Sequence, residues 1–293
     1  MITTAAFKTI DFRLGLLSDS PLSRRLRRVE FAAMRNQNLV EGIVRRDQWI
    51  AGACLLLVAT VSWLWLLPQS AATQSMAAMG MVGPGRQFAD AVLMWSLMMT
   101  AMMLPAAAPM VLAYARFERI EKSQARVLTP TAVFAAVYLA LWILFSLAAA
   151  ALQVLLVRIG TVQAARMAIG GARISGVLLV LLGLYQLTPL KHACLTACRA
   201  PLPLFMRQWR PGVAGALRLG AIHGLYCVGC CWLMMALLFV VGVMNMVWVG
   251  LLALIVLVEK VAPLGHRIGV GLGIAAAALG LGVLVTGRAA VFW

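Results

Sequence analysis

The chain has 293 residues, 63% of them hydrophobic and 12% charged, with a mean hydropathy of +0.94. Soluble domains are about 45–50% apolar and about 25% charged, so this composition excludes an ordinary soluble domain. A formal net charge of +16 and a pI near 11.0 would point to nucleic acid in a soluble chain. Beside so large an apolar excess they point instead to basic loops on the cytoplasmic side of a membrane, and no nucleic-acid partner is expected.

Residues 1–46 read as a basic cytoplasmic arm, with nine Lys/Arg, four Asp/Glu and no apolar run long enough for a signal peptide or a span. Ser20 before Pro21 suits a helix N-cap and first helical position. Leu22, Leu26, Val29 and Ala33 then share a face that Arg24, Arg25, Arg27 and Arg28 mostly avoid. Two readings stay open: an amphipathic helix on an anionic lipid surface, or a solvated arm.

Residues 47–293 read as an all-α transmembrane helical domain. Runs of roughly 20 apolar residues, enough to cross a hydrocarbon core about 30 Å thick, lie near 49–67, 88–114, 131–157, 174–190, 217–242, 244–259 and 268–287. They predict about seven spans. The weakest boundary is the junction around Gly242–Asn245, where a re-entrant pair would change the count. With the N-terminus inside, all of the 25 Lys/Arg but Arg86, Arg158, Arg166, Arg173 and Arg288 fall on the cytoplasmic side. This predicts an N-in, C-out multi-pass protein of the inner (cytoplasmic) membrane. Gly269, Gly271, Gly273, Gly280 and Gly282 in the last run are expected to let helices approach closely. A dinucleotide loop would need a strand–helix unit around them, and none is evident.

The second run carries Met94, Met98, Met99, Met102, Met103 and Met110. At about 100° per residue, Met94, Met98 and Met102 make one stripe; Met99, Met103 and Met110 make another about 100° around. Pro105 withholds a hydrogen bond from the carbonyl of Ala101 and Pro109 repeats this a turn later, predicting a kink. A single methionine is a flexible apolar filler. A cluster beside a kink suits a soft cation, because thioethers select Cu(I) over hard ions and bind without deprotonation.

The fifth run is the strongest signal. His223, Cys227, Cys230, Cys231 and Met234 share an arc of about 100°. A buried cysteine can serve as a small hydrophobe, but polar groups at membrane depth are functional by default. The middles of the second and fifth runs sit at similar depth, so their methionines and cysteines could meet. In the segment PLKHACLTACRAPL, His192, Cys194 and Cys198 form a further set at the cytoplasmic face, beside Lys191 and Arg199, which favour thiolate. Two- or three-coordinate Cu(I) fits it better than Zn, whose structural sites take four ligands. Met76, Met79 and Met81 read as incidental, and Cys54 as core. Asp90 reads as a helix cap, with attraction of a cation at the outer mouth as the alternative. Glu259 and Lys260 are expected to pair or to snorkel. His266 carries no assignment.

MWSLMMTAMMLPAAAPM at 94–110, YQLTPLKHACLTACRAPL at 185–202, and GLYCVGCCWLMM at 224–235 continuing to VEK at 258–260 resemble an uncharacterised bacterial family of predicted metal-binding integral membrane proteins (domain of unknown function 2182). The resemblance covers most of 88–260. It implies metal binding at those Met, Cys and His positions, and some members are described as copper chaperone-like.

The leading expectation is a non-enzymatic protein that binds Cu(I) within the bilayer and passes it to or from the cytoplasmic His192, Cys194 and Cys198, working with a copper donor or acceptor protein. An oligomer is compatible with this. No phosphate-binding loop supports ATP-driven pumping. The first alternative is a membrane thiol–disulfide oxidoreductase using the Cys-x-x-Cys of Cys227 and Cys230, which leaves the methionines unexplained. The second is a structural or assembly subunit whose Met and Cys only pack helices. Haem fits poorly, since only His223 lies within a run.

Overall fold

The structure is a computed structural model and describes residues 48–68, 84–121, 128–160, 162–163, 168–169, 171–200, 204, 208, 210, 212–243 and 245–287. The basic arm, the loop with Met76, Met79 and Met81, and Lys122, Arg126, Arg166, Arg207 and Arg288 lie outside the described residues.

The elements in chain order are α1 (Gln48–Pro68), α2 (Pro84–Glu121), α3 (Leu128–Arg158), β1 (Val162–Gln163), β2 (Ala168–Ile169), α4 (Ala172–Gln186), α5 (Pro189–Arg199), α6 (Gly212–Ala236), α7 (Leu238–Val241), α8 (Met246–Val261) and α9 (Gly265–Thr286). The two short strands pair antiparallel, with Val162 opposite Ile169. The expected all-α class is otherwise what the described residues form.

Five helical segments are long and apolar enough to cross a membrane, and the bent pair α4–α5 would make a sixth. The expected seven spans therefore need correction at two places. At 174–190, α4 stops at Gln186 because Thr188 adopts an extended backbone, accepts the N–H of Lys191 on its hydroxyl and precedes Pro189 at the start of α5. A side-chain cap with proline at the first position starts a new helix rather than prolonging an old one. The two helices meet at 62°. The segment carrying His192, Cys194 and Cys198 is thus helix α5. At 244–259, α8 has 16 residues, about 24 Å at 1.5 Å per residue, short of a full hydrocarbon core. The tight junction before it turns at Gly242, whose φ of 94° favours glycine, and Asn245 caps α8 by accepting from the N–H of Trp248.

Helix α2 runs unbroken through Pro105 and Pro109. It packs on α3, which packs in turn on α6; α5 lies against α6, and α8 against α2 and α9. Trp95, Tyr114, Phe134, Tyr138 and Trp142 are fully buried between them with Met98, Met99, Met102 and Met103. The indole of Trp95 donates to Gln153 Oε1 at 2.6 Å, tying α2 to α3. Leu56, Leu64, Leu144, Leu225 and Val285 point outward, an apolar exterior that suits hydrocarbon rather than water.

Helices α4 and α9 cross closely. A Cβ on Gly183 would lie 2.5 Å from the carbonyl oxygen of Gly273, and one on Gly280 would lie 2.7 Å from that of Gly176. Of the glycines expected to let helices approach, Gly273 and Gly280 face α4 and Gly269 faces the Glu259 side chain of α8, whereas Gly271 and Gly282 face open space.

Candidate metal centre

Helix α6 carries the centre. His223, Cys227, Cys230, Cys231 and Met234 are all buried, as one stripe of a 3.6-residue helix turned inward must be. The hydroxyl of Tyr185 on α4 donates to the carbonyl of Gly229 and fixes the height of this stripe.

Four neighbours complete it. From α5, Cys198 Sγ comes within 4.0 Å of Cys230 Sγ. From α2, Met103 Sδ stands 3.9 Å from Cys231 Sγ. From α3, the Tyr138 hydroxyl lies 3.1 Å from Cys227 Sγ and donates to the carbonyl of Met103 at the same distance. From α8, the ammonium of Lys260 donates to Cys227 Sγ at 2.7 Å. The thiols of Cys230 and Cys231 meanwhile donate to the carbonyl of Cys227, at 3.1 and 2.9 Å. All six cysteines are free of disulfides.

His223 stacks on Phe134 and Tyr138, with ring centroids 5.9 and 5.4 Å away. Both its ring nitrogens are buried and neither has a hydrogen-bond partner. A buried polar atom with no partner costs about 1–3 kcal/mol, and a neutral imidazole with a free lone pair is chemically able to bind a metal.

The predicted residues divide into three groups. Cys198 joins the stripe of His223, Cys227, Cys230, Cys231 and Met234. Met94, Met98 and Met102 are buried in the core, but the thioether beside a thiol is Met103, from the other stripe. The set of His192, Cys194 and Cys198 is split along α5. His192 is exposed and its ring lies 4.4 Å from that of His266, Cys194 is half-buried beside Gly229, and Cys198 is buried.

The cations expected to favour thiolates there are engaged elsewhere. Lys191 pairs with Glu259 at 2.8 Å and reaches Gln186, while Arg199 donates to the carbonyl of Ala262. Glu259 and Lys260 accordingly neither pair nor snorkel. Successive residues on α8 point about 100° apart, one to Lys191 and one to Cys227. Cys54 is exposed rather than core, because α1 turns that face outward. Asp90 is no cap, since α2 already begins at Pro84.

Sequence reasoning missed Lys260 and Tyr138 as neighbours of Cys227. The available signal was a lysine ending an apolar run, and nothing in one sequence says which helix it faces. Among the described residues, no group of three or more His, Cys, Asp and Glu side chains is already arranged to hold a metal ion. The centre thus offers paired soft sulfurs rather than a closed cage. Metal–thiolate bonds of about 2.3 Å let two sulfurs sharing one ion stand up to about 4.6 Å apart. The 4.0 Å between Cys198 and Cys230 fits one shared soft ion.

A family model described as PpoB2, copper chaperone, matches residues 92–283. That range takes in every residue of the centre. No curated protein and no solved structure matches the chain.

Proposed function

The chain belongs to the PpoB2 copper chaperone family, and on that premise we propose that its cargo is Cu(I), held inside a membrane-embedded helical bundle between Cys198 and Cys230. The observation that carries this reading is the 4.0 Å approach of those two buried sulfurs from different helices. Soft thiolate and thioether ligands select Cu(I), and two sulfurs satisfy an ion that accepts low coordination. Cys231 and Met103 supply a second sulfur pair beside the first, and His223 an unpartnered nitrogen. The ion can change partners by small steps among these buried sulfurs.

Lys260 places a positive charge against Cys227, a charge-assisted contact that engages this sulfur more strongly than the neutral thiol–carbonyl contacts of Cys230 and Cys231. Cys227 is therefore read as an anchor of the centre, and Met94, Met98 and Met102 as its packed surround. The apolar exterior and the five or six candidate spans support a multi-pass membrane protein. The basic residues support a cytoplasmic N-terminus in the inner membrane, to be tested with reporter fusions at each terminus.

The deciding experiment is copper content by mass spectrometry on full-length protein purified anaerobically with reductant. Wild type is expected to carry copper that Cys198→Ser/Cys230→Ser loses. If both forms bind equally, this site is wrong. If neither binds and the wild type yields a Cys198–Cys230 disulfide on exposure to oxidant, the same 4.0 Å approach serves thiol exchange instead.

A further inference from the structure

The only histidines besides His223 stand together at the surface. His192 lies in the first turn of α5 and His266 in the first turn of α9, both side chains are exposed, and their rings lie 4.4 Å apart at 70°. Nothing in the buried centre uses them. We propose that this pair is a surface port for Cu(I), where an ion carried by thiolates in solution exchanges onto the chain. The inference rests on the copper-cargo reading above.

Three observations converge. With metal–imidazole bonds of about 2.0–2.1 Å, two rings at this separation can place a nitrogen each on one ion. Two imidazoles leave the rest of the ion's coordination to a carrier's ligand. The pair is also held in place. Gly265 and Gly269 bring the start of α9 against Glu259, which is bonded to Lys191, the residue before His192.

The third observation is a gradient along α5: His192 is exposed, Cys194 is half-buried, and Cys198 is buried at the Cys230 sulfur. Cys194 Sγ lies against Gly229, so close that a Cβ there would be 3.0 Å away, and Gly229 precedes Cys230. Ligands of rising softness thus run inward on one helix, from imidazole to thiol. The exchange is a substitution at constant oxidation state. Two imidazole lone pairs form Cu–N bonds, the carrier's thiolates depart to solvent, and no electron moves. Arg267, exposed and next in sequence to His266, suits an incoming anionic copper–thiolate complex.

The test uses the full chain in detergent under anaerobic conditions, with Cu(I)–glutathione as the probe. At excess copper, X-ray absorption is expected to show both nitrogen and sulfur ligands. His192→Ala/His266→Ala should reduce the nitrogen component and keep the sulfur, and should slow loading at least about tenfold, the lower end of what lost metal-site contacts cost, with final content at the buried site unchanged. Both side chains are exposed, so thermal melting should not move. Cys198→Ser/Cys230→Ser should do the converse, reducing the sulfur component and keeping the nitrogen. A nitrogen component or a loading rate indifferent to the two histidine changes overturns the port. Loss of sulfur from every form, with the nitrogen retained, overturns the buried centre and not the port.

Discussion

At the scale of single residues, the centre separates ligands from packing by what each atom touches. His223 is the sharpest case. Its ring is held by stacking on Phe134 and Tyr138, and its nitrogens bond to nothing. His223→Phe should therefore leave thermal stability close to wild type or raise it, because the stack is kept and two orphaned polar atoms vanish. Copper affinity should fall by about 10- to 100-fold if the imidazole is a ligand. A melting curve and a competition titration against a Cu(I) chelator read the two effects separately, and unchanged affinity would remove His223 from the ligand set.

The methionines allow a parallel comparison. Met103→Leu, at the sulfur beside Cys231, should weaken copper retention with a stability cost under about 1.5 kcal/mol. Met98→Leu/Met102→Leu should leave it nearly intact. The opposite ranking in metal content would return the site to the first stripe. The sequence alone could not choose between the stripes. Periodicity tells which residues share a face but not which helix that face meets. For the same reason the arc from His223 to Met234 was readable and Cys198 was a candidate in its own right, whereas its meeting with Cys230, and the arrival of Lys260 and Tyr138 from two other helices, were not.

Among the elements, the boundaries that failed did so where a capping signal competed with an apolar run. The run at 174–190 continues past Gln186 in hydropathy, yet Thr188 and Pro189 start a new helix there, and the resulting bend brings α5 to Cys230. Counting apolar residues weighs composition and ignores that local geometry. Glycines behave similarly. Five along α9 looked alike, but only contacts distinguish them. Ala at Gly183 would set its Cβ 2.5 Å from a backbone oxygen on α9, where neither partner is a flexible side chain. Gly183→Ala should thus lower the melting temperature sharply in detergent. Gly271→Ala, with nothing within 4 Å, should raise it slightly, since alanine is favoured over glycine in a helix by about 1 kcal/mol. Equal responses at the two positions would mean that α4 and α9 do not cross as described.

On the scale of the whole molecule, one buried polar link joins four helices at a single point. Lys191 on α5 and Glu259 on α8 are both buried, 2.8 Å apart, with Gln186 of α4 on the lysine and Gly269 of α9 against the carboxylate. Four helices therefore meet at a single ion pair a few residues from both the thiol centre and the surface histidines. Removing one partner leaves a buried charge uncompensated, a loss of about 3–5 kcal/mol in known cases, whereas replacing both by apolar residues is often neutral or stabilising. Lys191→Met and Glu259→Leu should each destabilise strongly. The double variant should recover most of the melting temperature, because volume is kept and no lone charge remains. Copper loading distinguishes what the pair is for. If it only holds the helices together, the recovered double variant will load like wild type. If the fixed position of α5 is needed to present Cys198 to Cys230, the double variant will melt normally and load poorly. That split between stability and loading would place the ion pair among the residues that set the geometry of the site.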